Sequence, residues 1–259
     1  MSNKFMNNLF KFKTIIIFLA AAGFPFKSNA VDSPLNEFYS CRHFFLMEKP
    51  PIHPLEARSD SQRVCNEDFA LAYSRSTKTP LYTAHLINKA QAFAQRGKER
   101  PVGFIVDKTI PLYGRTSIND FVGTGWEAGQ LTNLPGGTTN NSALLSNVVP
   151  MSPETAQVWR TLSAEIASAA VFNSDTVVEI NGVLFEGDTQ KIGVSNIWVP
   201  SHLYKVIFSY KKKKATAWLI RNKDGHKDPS KAPPSASYQT LRTEIPINFM
   251  PALILSKDR

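Results

Sequence analysis

The stretch from Asn119 to Trp159 decides the fold: NDFVGTGWEAGQLTNLPGG over 119–137, then ALLSNVVPMSPETAQVW over 143–159. Its end opens a helix. Ser152 is an N-cap residue, Pro153 suits the first helical position, and Glu154 places an acid in the first turn. Trp159, Leu162, Ile166 and Ala169 or Ala170 then recur at i, i+3, i+7 and i+10/11, which predicts one buried face. The run 142–149 ahead of it is apolar with turn residues on both sides. The GGTTNN segment at 136–141 lacks the G-x-x-x-x-G-K-[ST] spacing of a phosphate loop and predicts a surface turn.

Before this stretch, 69–73 (FALAY) and 80–86 (PLYTAHL) are β-like runs joined by a polar turn, a predicted hairpin. Residues 31–40 read as a mobile lead-in, 41–63 as Pro-rich and irregular, 88–96 as a short helix and 102–110 as extended. After it, 175–185 and 205–210 predict strands, Lys211–Lys214 a charged turn, and 215–221 the return strand. A loop over 227–237, a short helix over 238–244 and an apolar closing turn at 248–251 complete the chain. Strands before and after one long helix, with no repeat and no dividing linker, predict a single α+β domain.

The 259 residues carry 30 Lys+Arg against 21 Asp+Glu, a formal charge of +9. With 42% apolar residues, 13 Gly and 17 Pro, the chain is neither disordered nor collagen-like. No apolar run reaches 18 residues, so no ordinary transmembrane helix is expected. Residues 1–30 read as a signal peptide: Lys4, Lys11 and Lys13 precede an apolar Thr14–Phe24, and Ser28-Asn29-Ala30 offers a cleavage site. The alternative is an uncleaved N-terminal anchor, for which the apolar run is short. The segment holds four lysines and no acid, so residues 31–259 carry 26 bases against 21 acids, or +5. Export implies a periplasmic or extracellular destination and no membrane association after cleavage. In such an oxidising compartment Cys41 and Cys65 are expected to form one disulfide, since two thiols without a second pair lack the zinc pattern.

The 119–159 stretch resembles the DNA/RNA non-specific endonuclease family, whose ββα-metal core carries D-Y-x-G-S-G-Y-D-R-G-H-x-x-P followed by S-N-x-x-P-Q and a helix with Asn and then Trp. The likeness extends to Cys65–Tyr82, to Val199–Lys205 (VPSHLYK) and to Tyr238–Pro251, so it spans Cys41–Pro251 in order. It implies antiparallel sheets packed with helices, a DNA or RNA partner, and Mg²⁺ as cofactor if the chain is active. In such a site a neutral His activates water and one divalent cation stabilises the leaving oxygen.

Residue by residue, the resemblance places Glu127 at the family's Asp, Ala128 at its Arg, Gly129 at its Gly and Gln130 at its general-base His. A carboxamide has no basic nitrogen near neutral pH. Asn147 and Pro150 are retained, and Met151 replaces the motif's Gln. The metal-ligand Asn falls on Ala156, or on Thr155 if the gap before Trp159 is placed differently. Glu127 and Glu165 are the acids available to compensate. Three readings follow: a catalytically impaired nucleic-acid binder, an active Mg²⁺-dependent enzyme with a rearranged site, and a protein-interaction module on a nuclease fold. Candidate nucleic-acid contacts are Trp126, Asn147 and Lys211, Lys212, Lys213 and Lys214; four consecutive lysines are also what a solvated hairpin tip presents. Of the five His residues none forms a metal-like pair, and His202 is the one placed near the expected cleft.

Overall fold

The computed structural model describes residues 38–56, 60–94 and 101–251. The segment 1–30, read above as a signal peptide, lies outside them. Two short 3₁₀ helices, Tyr39–Phe44 and Leu46–Glu48, lead into strands β1 (Ser61–Cys65), β2 (Ala70–Ser74) and β3 (Thr79–Ile87). Helix α1 (Lys89–Ala94) follows, then β4 (Glu127–Gln130), β5 (Val148–Met151) and the long α2 (Pro153–Phe172). The second half holds β6 (Val177–Leu184), β7 (Lys191–Ile192), β8 (Ile197–Trp198), β9 (His202–Ser209), β10 (Lys214–Arg221), β11 (Ala236–Ser237) and α3 (Tyr238–Glu244).

Seven strands form one antiparallel sheet in the order β1-β2-β3-β6-β9-β10-β11, and β4 pairs with β5 apart from it. The central strands are buried on both faces, which their near-continuous apolar runs require. On one face Phe38, Phe44, Phe45 and Leu46 pack with Tyr82, Tyr204 and Phe249, and α3 adds Tyr238 and Leu241. On the other face α2 lays Trp159, Leu162, Ile166 and Ala170 against Val177, Val183, Leu203, Trp218 and Ile220. These are the positions that the helical period selected. Ser152 caps α2, its hydroxyl accepting from the Thr155 amide at 3.2 Å. The disulfide Cys41–Cys65 is formed and ties the lead-in to the end of β1.

Three expectations change. Phe38 is fully buried and Tyr39–Phe44 is helical, so the end of the segment read as a mobile lead-in is packed into the fold; its residues 31–37 lie outside the described range. Ser61–Arg63 belongs to a strand: the alternation is weak because only Val64 of β1 is buried. Residues 102–110 form no strand, only a single bridge from Ile105 to Leu144. That segment is held by two backbone bonds at Ile105, to the Ala143 carbonyl at 2.9 Å and from the Leu145 amide at 2.8 Å, and by the Ser146 hydroxyl donating to Asp107 at 2.5 Å. The Lys run is the predicted hairpin tip, with Lys214 already in β10. Among the described residues no helix is long and apolar enough to cross a membrane.

Candidate nucleic-acid cleft

β4, β5 and α2 converge as a hairpin running into a helix. The register sets Glu127 opposite Met151, Ala128 opposite Pro150, Gly129 opposite Val149 and Gln130 opposite Val148. Met151 lies directly over Gly129, whose position a Cβ would bring to 2.3 Å from the sulfur. The Trp159 indole donates to the Leu131 carbonyl at 3.1 Å, which fixes α2 against the end of β4. Between these elements opens a cleft of about 160 Å³, bounded by Gln130, Asn133, Met151, Ala156 and Arg160. A second opening of about 260 Å³ continues along α2 past Ser163 and Ala167 and shares Asn133 and Arg160 with the first.

The expected site residues separate into three groups. Ala128, Gly129, Gln130 and Ala156 do meet at the cleft. The Gln130 side-chain amide donates to the Ser142 carbonyl at 2.8 Å, so its N–H is directed into the 131–147 loop. Ala156 is buried and presents a methyl group. The alternative position, Thr155, turns away: its hydroxyl donates to the carbonyls of Arg221 and Lys223 and lies 3.0 Å from the His226 Nε2. Glu127 stands at the mouth, where its carboxylate meets the Arg160 guanidinium at 3.3 Å.

Asn147 and Trp126 sit elsewhere. Asn147 is fully buried; its Oδ1 accepts from the Thr132 amide at 2.9 Å, and its Nδ2 donates to the carbonyls of Thr132 and Ser142. Every one of its hydrogen-bonding groups holds the loop that Gln130 also grips, so it offers no surface to a nucleic acid. Trp126 packs half-buried on a cluster of Phe121, Leu145, Val148 and Ile197 beside the cleft. Glu165 lines a different cavity with Ile166 and Lys214 and does not converge with Glu127. Lys211–Lys214 are likewise remote: the Lys211 ammonium donates to the carbonyl of Asn173, just past the end of α2. Asn173 lies about 25 Å along the helix axis from Ala156 at 1.5 Å per residue. His202 Nδ1 lies 3.4 Å from Glu186 and 3.1 Å from the Ser201 hydroxyl, burial lowers its pKa, and it does not line the cleft.

The residues present do not fit the metal that the family resemblance implies. The position expected to supply a ligand is the Ala156 methyl, Gln130 is tied to Ser142, and Glu127 is paired to Arg160. Among the described residues no group of three or more His, Cys, Asp or Glu side chains is arranged to hold an ion. The cleft's chemistry is therefore that of an exposed Arg160–Glu127 ion pair at the rim of a neutral, hydrogen-bonding floor.

Arg160 is the residue the sequence reading passed over. It is 58% exposed and is the one charged side chain lining either opening among the described residues. Its signal was available: it falls at i+4 from Ala156, hence on the same helix face one turn on. Its guanidinium stands at the cleft mouth, where it pairs with Glu127 at 3.3 Å.

Beneath Trp159 lies a second feature missed in the sequence. Glu179 and Asn181 sit two apart on β6 and so share a face; Lys205 stands opposite Asn181 on β9. The fully buried Lys205 ammonium donates to Glu179 at 2.5 Å and to Asn181 at 2.6 Å, and lies 4.3 Å from the Trp159 ring centroid. Burial alone would raise the Glu179 carboxyl; Lys205, with His85 and Asn181, overrides it and holds the pKa below the ordinary value. His85, buried against this pair, is pushed down to about 4, chiefly by desolvation, and is neutral at pH 7. The network supports the indole that positions α2 against β4.

A β-hairpin feeding a helix across such a cleft is the ββα core of the His-Me finger nucleases, here on a mixed α+β scaffold. Residues 52–248 match the DNA/RNA non-specific endonuclease family, and the chain belongs to that family. The human mitochondrial nuclease EXOG is 25% identical over 80% of this chain and 60% of its own length. The mitochondrial Nuclease 1 of Schizosaccharomyces pombe is 23% identical over 60% of this chain and 53% of its own. The chain thus spans between half and three-fifths of these relatives. Among solved structures, EndoG in the EndoG/EndoGI complex superposes with a TM-score of 0.58 at 19% identity, covering 70% of this chain and 82% of that one.

Proposed function

We propose that this protein binds nucleic acid across the α2 cleft without hydrolysing it. The observation that carries the reading is the joint state of the cleft: an exposed Arg160 at its mouth, over a floor where Gln130 and Ala156 stand at the positions of base and metal ligand. Gln130 has no basic nitrogen to accept a proton from water. Losing a general base costs about 10²–10⁴ in rate, before any loss of the metal. Against the rearranged-enzyme reading, in which Glu127 or Glu165 holds the cation, stand the pairing of Glu127 with Arg160 and the placement of Glu165 in a different cavity. A guanidinium at the rim suits a phosphodiester, whose attraction is electrostatic and independent of sequence. A gel shift with a short duplex in Mg²⁺ at two salt concentrations tests the proposal. The expected result is a salt-sensitive complex with intact DNA, weakened by Arg160→Glu. Absence of binding at low salt by a folded protein would refute it.

We further propose that the chain is exported and cleaved after Ala30; the disulfide supports an oxidising destination, periplasmic or extracellular. Mass spectrometry of the protein from the producing cell's envelope or medium should find Val31 at the N-terminus.

A further inference from the structure

A cavity lies on the flank of α2 opposite the cleft. It measures about 530 Å³, within the roughly 300–1,000 Å³ over which small-molecule sites fall. The two openings take opposite sides of the helix: Arg160, Ser163, Ala164 and Ala167 face one, while Leu162, Glu165, Ile166 and Ala169 face the other. At about 100° per residue these two sets point about 180° apart.

Three chemistries meet in this cavity. Its floor is apolar, made by Ile166, Val177, Ile207 and the Trp218 indole. The indole is fixed, since its Nε1 donates to the Pro233 carbonyl at 3.1 Å. The β9–β10 turn contributes the exposed residues Lys212 and Lys214. The helix wall contributes the exposed carboxylate of Glu165. Asp175, the other acid of the lining, is committed within the fold: it accepts from the Ser209 hydroxyl and from the Lys211 amide at 3.0 Å.

We infer that this cavity is a mononucleotide site, taking a ligand with a flat heteroaromatic ring at one end and a phosphate at the other. The ring lies on the Trp218–Ile207 shelf, the phosphate meets Lys212 and Lys214, and Glu165 accepts from an amino or hydroxyl group of the ligand. Simpler ligands leave part of the site unused. A free inorganic anion would leave the shelf empty, and an alkyl-chain acid would set Glu165 against no donor. The site does not depend on the cleft reading, because the cavity shares no lining residue with either cleft opening.

Isothermal titration calorimetry of the full chain with AMP tests it. One AMP per chain is expected, with inorganic phosphate alone and adenosine alone each at least tenfold weaker. Lys212→Gln with Lys214→Gln should weaken AMP tenfold or more. Ile207→Trp, which fills the shelf, should abolish binding while thermal melts report a folded protein. AMP should leave a duplex bound in the cleft undisplaced. The inference is overturned by no AMP binding to the full chain, by affinity unchanged in both variants, by phosphate alone binding as tightly as AMP, or by displacement of the duplex.

Discussion

Replacing Lys205 with Met removes the one cation from a fully buried polar cluster while keeping much of its volume. The ammonium donates to Glu179 and Asn181 and lies against the Trp159 ring. Without it the Glu179 carboxylate retains the Asn181 amide at 2.9 Å and a neutral His85 whose Nε2 is 3.9 Å away. Leaving a buried charge without its partner costs about 3–5 kcal/mol. Equilibrium denaturation in guanidinium at pH 7 should show a loss of that size. The loss should shrink as the pH falls, because burial then raises the Glu179 pKa and the carboxyl takes a proton in the folded state. Adding Glu179→Gln to Lys205→Met should recover at least 2 kcal/mol, as about half of an uncompensated-charge penalty of this size. A loss under 1 kcal/mol at pH 7, or additive single and double variants, would refute the claim that this pair is charged and coupled beneath the cleft.

Arg160→Glu should weaken duplex binding and lower the slope of log K against log salt by about 1, read from binding isotherms across salt concentrations. Cys41→Ala with Cys65→Ala opens a loop with a sequence separation of 24 and should cost roughly 3.5 kcal/mol in chemical denaturation. His53 and His85 both have folded pKa values near 4 against 6.5 for the free side chain. The unfolded chain therefore binds more protons between these values, so stability is full above pH 6.5 and falls towards pH 4. Each His contributes about 3 kcal/mol over that window, and His85→Phe should flatten the pH profile of the melting temperature. Restoring Ala128→Arg, Gln130→His and Ala156→Asn together should yield Mg²⁺-dependent cleavage of plasmid DNA; continued inactivity of the folded triple variant would show that the cleft itself has been remodelled.

Much of the scaffold was legible because it rests on local rules. The α2 cap at Ser152 and the buried stripe from Trp159 follow from short-range chemistry, and both are found where the period places them. The β2–β3 hairpin and the Lys-bearing β9–β10 turn carry their own turn residues. What stayed hidden depends on distant partners. Residues 102–110 look extended yet lack a second strand to pair with, and β1 leaves all but Val64 half-buried, which blurs its alternation. The cleft divided the same way. That Gln130 and Ala156 stand together follows from one contiguous motif. Asn147 kept its motif position but spends its amide on the loop, which no linear pattern reports. The Glu179–Lys205 pair joins residues 26 apart in sequence, visible only once β6 and β9 are in register.

The central claim is binding without hydrolysis, and a plasmid-relaxation assay on residues 31–259 tests it most directly. With Mg²⁺ in excess and DNA held in the salt-sensitive complex, the account predicts supercoiled plasmid that stays intact over hours. Metal-stimulated nicking that copurifies with the protein and disappears in Glu127→Ala would contradict it.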